Sequence, residues 1–109
     1  MTIKSSAIDI FLAARNNDVP LLRAALTAGQ SLAAQRPENG FTPLHTAALN
    51  GSAEFIREAL NHSTADPWRR NHQGHLPIDL AHSGGHRIIS VLFYDSMYPN
   101  GSVLFPEEP

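Results

Sequence analysis

No cysteine occurs in this chain, so neither a disulfide framework nor a thiolate metal site is open to it. A strong charge of one sign is also missing. The net charge is −2 at pH 7, which gives no overall field to draw in nucleic acid. No apolar run approaches the ~20 residues that a membrane-spanning helix needs. Aromatic residues make up only 7% of the chain while Ala and Leu abound, which favours helices over strands. There is no phosphate-cradling glycine loop with Lys, no Ser elbow and no helical H-E-x-x-H, so the common catalytic signatures are absent. The N-terminal "MTIKSSAIDIFLAAR" makes a poor signal peptide because Asp9 interrupts its short apolar run. A cytoplasmic protein is the expectation.

What is present is repetition. With 109 residues and 42% apolar content the chain suits one small domain. Ala13-Ala14 recurs 34 residues on as Ala47-Ala48, and Ala81-His82 follows at the same interval. Gly40 and Gly74, Pro43 and Pro77, and Gly51 and Gly85 keep that spacing. Leu21, Leu22, Ala25 and Leu26 form one helix face, repeated by Phe55, Ile56, Ala59 and Leu60. Ile88, Ile89, Leu92 and Phe93 continue the series at an interval of 33, which implies one residue deleted after Gly85. Inner helices are expected near 7–15, 43–50 and 77–83, and outer helices near 19–28, 53–61 and 87–94. Thr42, Asp18 and Ser52 are the expected caps, with Pro43 in the first helical position. Helices this short are marginal in isolation, so each unit must lean on its neighbours.

The stretch "TPLHTAALNG" resembles the ankyrin repeat, in which T-P-L-H-x-A opens the first of two antiparallel helices. "ADPWRRNHQGHLPIDLAHSGGH" is similar to it more loosely. The resemblance implies an all-α ankyrin-repeat solenoid of three helix-turn-helix units with short β-hairpin-like connecting loops. The units span about 7–39, 40–73 and 74–94, between an N-terminal segment 1–6 and a tail 95–109. In unit one Asp9 and Phe11 stand where the pattern has Pro and His. In unit three Leu76 and Asp79 replace Thr and His. Both connecting segments look one residue longer than the family's, with the extra residues placed near 36–38 and 63–64.

The resemblance also says where binding occurs: hairpin tips and the concave face of the inner helices. Carried onto this chain, those positions are Arg15 and Asn16 in unit one. In unit two they are Glu38, Asn39, Phe41, Leu49 and Asn50, and in unit three Arg70, His72, Gln73, His75 and Ser83. The segment "PWRRNHQGH" adds Trp68 and Arg69, since Trp and Arg are enriched at binding hot spots. Arg69 and Arg70 are suited to grip carboxylates, which points to a partner with an acidic patch. Trp68, Phe41 and Leu49 would form an apolar centre with a polar rim.

The expected function is non-enzymatic: a monomer that binds another protein, as an inhibitor, immunity or regulatory protein, with no cofactor, metal, nucleic acid or membrane. The alternative is a histidine-rich metal-binding protein or small enzyme, which rests on six His. Of these, His45 in the T-P-L-H position reads as a structural hydrogen-bonder. His82 and His86 have i, i+4 spacing, but Gly84-Gly85 predicts a break between them. Asp9 and Asp79 sit near helix starts, where a carboxylate is favoured electrostatically. In the tail, Asn100-Gly101 signals a tight turn that would lay Tyr98, Val103, Leu104 or Phe105 over the open end of the last repeat.

Overall fold

The computed structural model describes residues 8–98. Six α-helices follow one another, with no strand among the described residues. The inner layer is α1 (Ile10–Asn16), α3 (Pro43–Asn50) and α5 (Pro77–Ser83); the outer layer is α2 (Val19–Thr27), α4 (Ala53–Ala59) and α6 (Arg87–Met97). Neighbouring helices pack within each layer, and each inner helix packs on its own outer helix. This is the all-α solenoid of three helix-turn-helix units that the spacing requires.

The reason such short helices hold lies in what they bury. Ala13, Ala14, Ala47, Ala48 and Ala81 are buried in the inner layer, where a methyl side chain lets backbones approach closely. Leu22, Phe55, Ile56, Ile89 and Phe93 fill the space toward the outer layer. Each of these large side chains contributes about 1.5–3 kcal/mol by leaving water. The starts are also well made. Thr42 and His45 form a reciprocal box: Thr42 Oγ1 accepts from the His45 N–H, and His45 Nδ1 accepts from the Thr42 N–H. Asp18 Oδ1 accepts from the Leu21 N–H as expected. Asp9 caps α1 through the Phe11 N–H at 2.9 Å, and Asp79 Oδ2 accepts from the Leu76 N–H at 2.8 Å. Both carboxylates thus have structural employment.

Four expectations change. Ser52 is the N-cap of α4 but makes no side-chain cap bond. Its task falls to Asn17 of the preceding repeat, whose Oδ1 accepts from the Phe55 N–H at 2.8 Å. Asn17 itself closes α1 in the left-handed region with φ 56°, the position that Gly51 fills for α3. The α1 helix begins at Ile10 rather than at 7, because Asp9 is extended and serves as its cap. The last outer helix reaches Met97, three residues past the expected end, because Met97 is buried one turn beyond Phe93 on the same face as Ile89. Finally, no residue is deleted after Gly85. The N-caps Ser52 and His86 keep the 34-residue interval, so Phe55 corresponds to Ile89 and Ala59 to Phe93. The apparent 33-residue register came from Ile88, which lies exposed at the position of Glu54.

The corrected register sets unit three apart from unit two. Where Ala48 and Ile56 are buried under the following repeat, unit three has His82, which is exposed, and Ser90, which is half-buried. Tyr98 packs on the core and makes ring contacts with Tyr94 and Trp68. Val103, Leu104, Phe105 and the Asn100-Gly101 turn lie outside the described residues, as does the segment 1–6.

Candidate functional site

The connecting loops are hairpin-like. In the first, the Arg36 N–H donates to the Phe41 carbonyl at 2.9 Å; in the second, the Asn71 N–H donates to the His75 carbonyl at 2.9 Å. The first tip is one residue wider than the second. A turn in the second connecting segment is closed by the Ala65 N–H on the His62 carbonyl. The loops are also tied to each other. The His72 N–H donates to the Asn39 carbonyl at 3.0 Å, and Gln35 Nε2 donates to the carbonyls of Gly40 and Arg70. A Cβ on Gly40 would stand 2.5 Å from the His72 ring, so the approach of the two loops requires glycine there, at φ 74°.

His45 joins repeats two and three. Its Nδ1 accepts from the Thr42 N–H, which leaves the proton on Nε2 to donate to the His75 carbonyl at 2.9 Å. The ring is buried, and burial pushes its pKa below the ordinary histidine value. It is a neutral structural strut. The other histidines are dispersed. His86 Nε2 lies 3.2 Å from the Leu49 carbonyl, and His62 lies 3.6 Å from Glu58. His82 ends α5 while His86 precedes α6, so the glycine pair does break the helix between them. Among the described residues no three His, Asp or Glu side chains converge to hold a metal ion.

Apart from Phe41, the expected surface positions fall into three groups. Arg15, Asn16, Leu49, Asn50 and Ser83 are exposed at the ends of the inner helices. Arg15, Leu49 and Ser83 occupy the same register in successive repeats. Glu38, Asn39, His72, Gln73 and His75 lie on the two hairpins, where Asn39 is half-buried and the rest are exposed. Arg69, Arg70 and Trp68 are engaged within the fold. Arg69 Nε pairs with Asp66 at 3.2 Å and its Nη1 donates to Gln35 Oε1 at 3.0 Å. Arg70 Nη1 donates to the Gly74 carbonyl at 2.6 Å. Trp68 meets Tyr98 edge-on, with ring centroids 5.4 Å apart, and remains 48% exposed.

The structure does not gather Phe41, Leu49 and Trp68 into one patch. Phe41 lies before α3 with its ring against His45 at 5.4 Å, and Leu49 lies near the other end of that helix. Six residues of that helix lie between them, about 9 Å of axial rise, and Thr42 adds to the separation. Trp68 is instead seated by the end of α6. Residues that the sequence reading passed over also belong to this surface. Arg36 stacks over the Phe11 ring at 4.2 Å, and with Asp9, Leu12, Arg15 and Thr46 these two line a hollow of about 300 Å³. Only the 34-residue correspondence of Arg36 with Arg70 hinted at it.

These features define a class: a short helical-repeat solenoid that presents loop tips and an inner-helix surface. The sequence matches the family described as ankyrin repeats (3 copies) over residues 10–101, and the chain belongs to the ankyrin-repeat family. Similar stretches occur in larger proteins. The tyrosine-protein kinase Shark of Drosophila melanogaster is 30% identical over 87 residues, covering 80% of this chain and 9% of that protein. The human 2-5A-dependent ribonuclease is 36% identical over 73 residues, 67% of this chain and 10% of that protein. The rat ARF GTPase-activating protein GIT2 is 29% identical over 98 residues, 90% of this chain and 13% of that protein. The chain therefore spans about a tenth of the length of these relatives. Ankyrin repeats are in general protein-interaction modules. Among the described residues no helix is long and apolar enough to cross a membrane.

Proposed function

We propose that this chain is a non-catalytic module that holds a partner protein on its inner-helix surface and hairpin tips, in the role of an inhibitor, immunity or regulatory protein. The observation that carries the reading is Leu49. It is a large apolar side chain left 48% exposed at the end of an inner helix, in register with exposed Arg15 and Ser83. An apolar residue among polar neighbours is the anatomy of an interface centre. Three repeats would bury about 800 Å² on each side, a standard small interface. His72, Gln73 and His75, exposed on the second hairpin, extend this surface.

The test is affinity capture from lysate of the source cells with wild type and Leu49→Asp side by side. Leu49 is exposed, so the variant keeps the wild-type circular dichroism spectrum. A protein retained by wild type and lost by Leu49→Asp supports the reading. Identical retention by both would remove the concave surface as the site.

A further inference from the structure

The hollow beside α1 has a composition that its counterpart in the next repeat lacks. It is lined by Asp9, Phe11, Leu12 and Arg15 from the first repeat, Arg36 from the first hairpin and Thr46 from α3. Thirty-four residues on, Arg15 becomes Leu49 and Phe11 becomes His45, while the counterpart of Arg36, Arg70, is bonded to the Gly74 carbonyl. The constellation is therefore not a by-product of the repeat.

Its two guanidiniums differ in how they are held. Arg36 is fixed at both ends. Its N–H donates to the Phe41 carbonyl, its carbonyl accepts from the Gly40 N–H at 2.7 Å, and its guanidinium carbon lies over the Phe11 ring, 4.2 Å from the centroid. Stacking of this kind orients the fork while leaving its edge free to donate. The nearest carboxylate on its own loop, Glu38, is 3.7 Å away and exposed, a loose pair. The Arg15 guanidinium has no hydrogen bond or ion pair among the described residues. Its place in the last turn of α1 suits a cation but leaves the guanidinium unengaged. The one carboxylate in the hollow, Asp9, is committed to capping its own helix through the Phe11 N–H. Two arginines thus share a hollow of about 300 Å³ with a single carboxylate, one oxygen of which caps α1.

We propose that this hollow is a subsite for the carboxylate of a Glu or Asp side chain on the partner, gripped by Arg15 and steadied by the Phe11-backed Arg36. The proposal rests on the partner-binding reading above and names one contact within it. It assigns the acidic chemistry of the partner to the first repeat, whereas the second hairpin's arginines are bonded within the fold.

The experiment uses the full ¹⁵N-labelled chain and follows the arginine Nε–Hε signals. The probes are two capped peptides, acetyl-Gly-Glu-Gly-amide and acetyl-Gly-Gln-Gly-amide, at low ionic strength. The expected result is a saturable shift of the Arg15 and Arg36 signals and the Thr46 amide with the glutamate peptide and none with the glutamine peptide. Arg15→Ala, at an exposed position, should keep the dispersion of the spectrum and weaken the response at least about tenfold, as the loss of one charge-assisted contact does. Arg15→Lys should retain part of it. Equal shifts with both peptides, or a glutamate response that survives Arg15→Ala, would overturn the subsite. That failure is separable from failure of the concave-surface reading, because Leu49→Asp reports on the latter in the capture experiment.

Discussion

Replacing His45 by Ala tests whether the third repeat is held on by one buried ring. The side chain is buried and engages the Thr42 N–H on its own repeat and the His75 carbonyl on the next. Removing it deletes two hydrogen bonds of about 1 kcal/mol each and leaves one or two buried groups without a partner, for a total of about 3 kcal/mol. With an unfolding entropy of about 2 cal/mol/K per residue, this corresponds to a fall of roughly 13 °C in Tm for a chain of this length. The internal control is Asp79, the residue at the same place in the last repeat. It accepts only from the Leu76 N–H and is exposed, so Asp79→Ala should cost about 0.5–1 kcal/mol. Urea unfolding followed in parallel by far-ultraviolet circular dichroism and by the fluorescence of Trp68, the sole tryptophan, reads both effects. Trp68 lies in the hairpin between repeats two and three, so in His45→Ala its transition should come at lower urea than the helical signal, as nearest-neighbour coupling in a solenoid requires. A His45→Ala cost equal to that of Asp79→Ala, or coincident transitions with a loss under 1 kcal/mol, would refute the argument.

Two further outcomes are expected. The folded His45 pKa lies below its unfolded value because burial disfavours the imidazolium, so its stabilising contribution is complete above about pH 6.5 and is lost as pH falls below that toward the folded value. Tm should therefore decline between pH 7 and 5, above the range in which Glu54 and Glu58 titrate, and His45→Gln should flatten the decline; an unchanged slope in His45→Gln would exclude the ring as its cause. Asn17 supplies a left-handed corner and a cap for α4, so Asn17→Gly should cost about 1 kcal/mol for the lost bonds to the Phe55 N–H and, in an exposed position, to Glu54, and Asn17→Ala about 1 kcal/mol more for the backbone conformation. Urea midpoints that rank Asn17→Ala as stable as Asn17→Gly would contradict that division.

The parts of the fold legible in the sequence were those set by contacts close along the chain. Thr42 before Pro43, Asp18 before Pro20 and the 34-residue return of Ala13-Ala14 as Ala47-Ala48 each express a local rule, of capping or of helix–helix approach. They placed five of the six helix starts to the residue. Because such short helices bury enough surface only when stacked, they also determined that the chain is a solenoid. The tertiary structure decided what depends on residues distant in sequence. Ile88 and Phe93 look equivalent to Phe55 and Leu60 in a list of apolar residues, yet only packing against α4 shows that Ile88 faces out and that Ile89, Phe93 and Met97 face in. Ser52 has the right hydroxyl for a cap, but the bond comes from Asn17, 38 positions before the Phe55 amide it receives. For the candidate surface the division is the same. The sequence marked Arg69, Arg70 and Trp68 by their chemistry, and the fold decided that their groups turn to Asp66, Gln35, Gly74 and Tyr98. It also decided that Arg15 and Arg36, on separate elements, share one hollow, because which side chains meet across a groove depends on the packing of helices and loops.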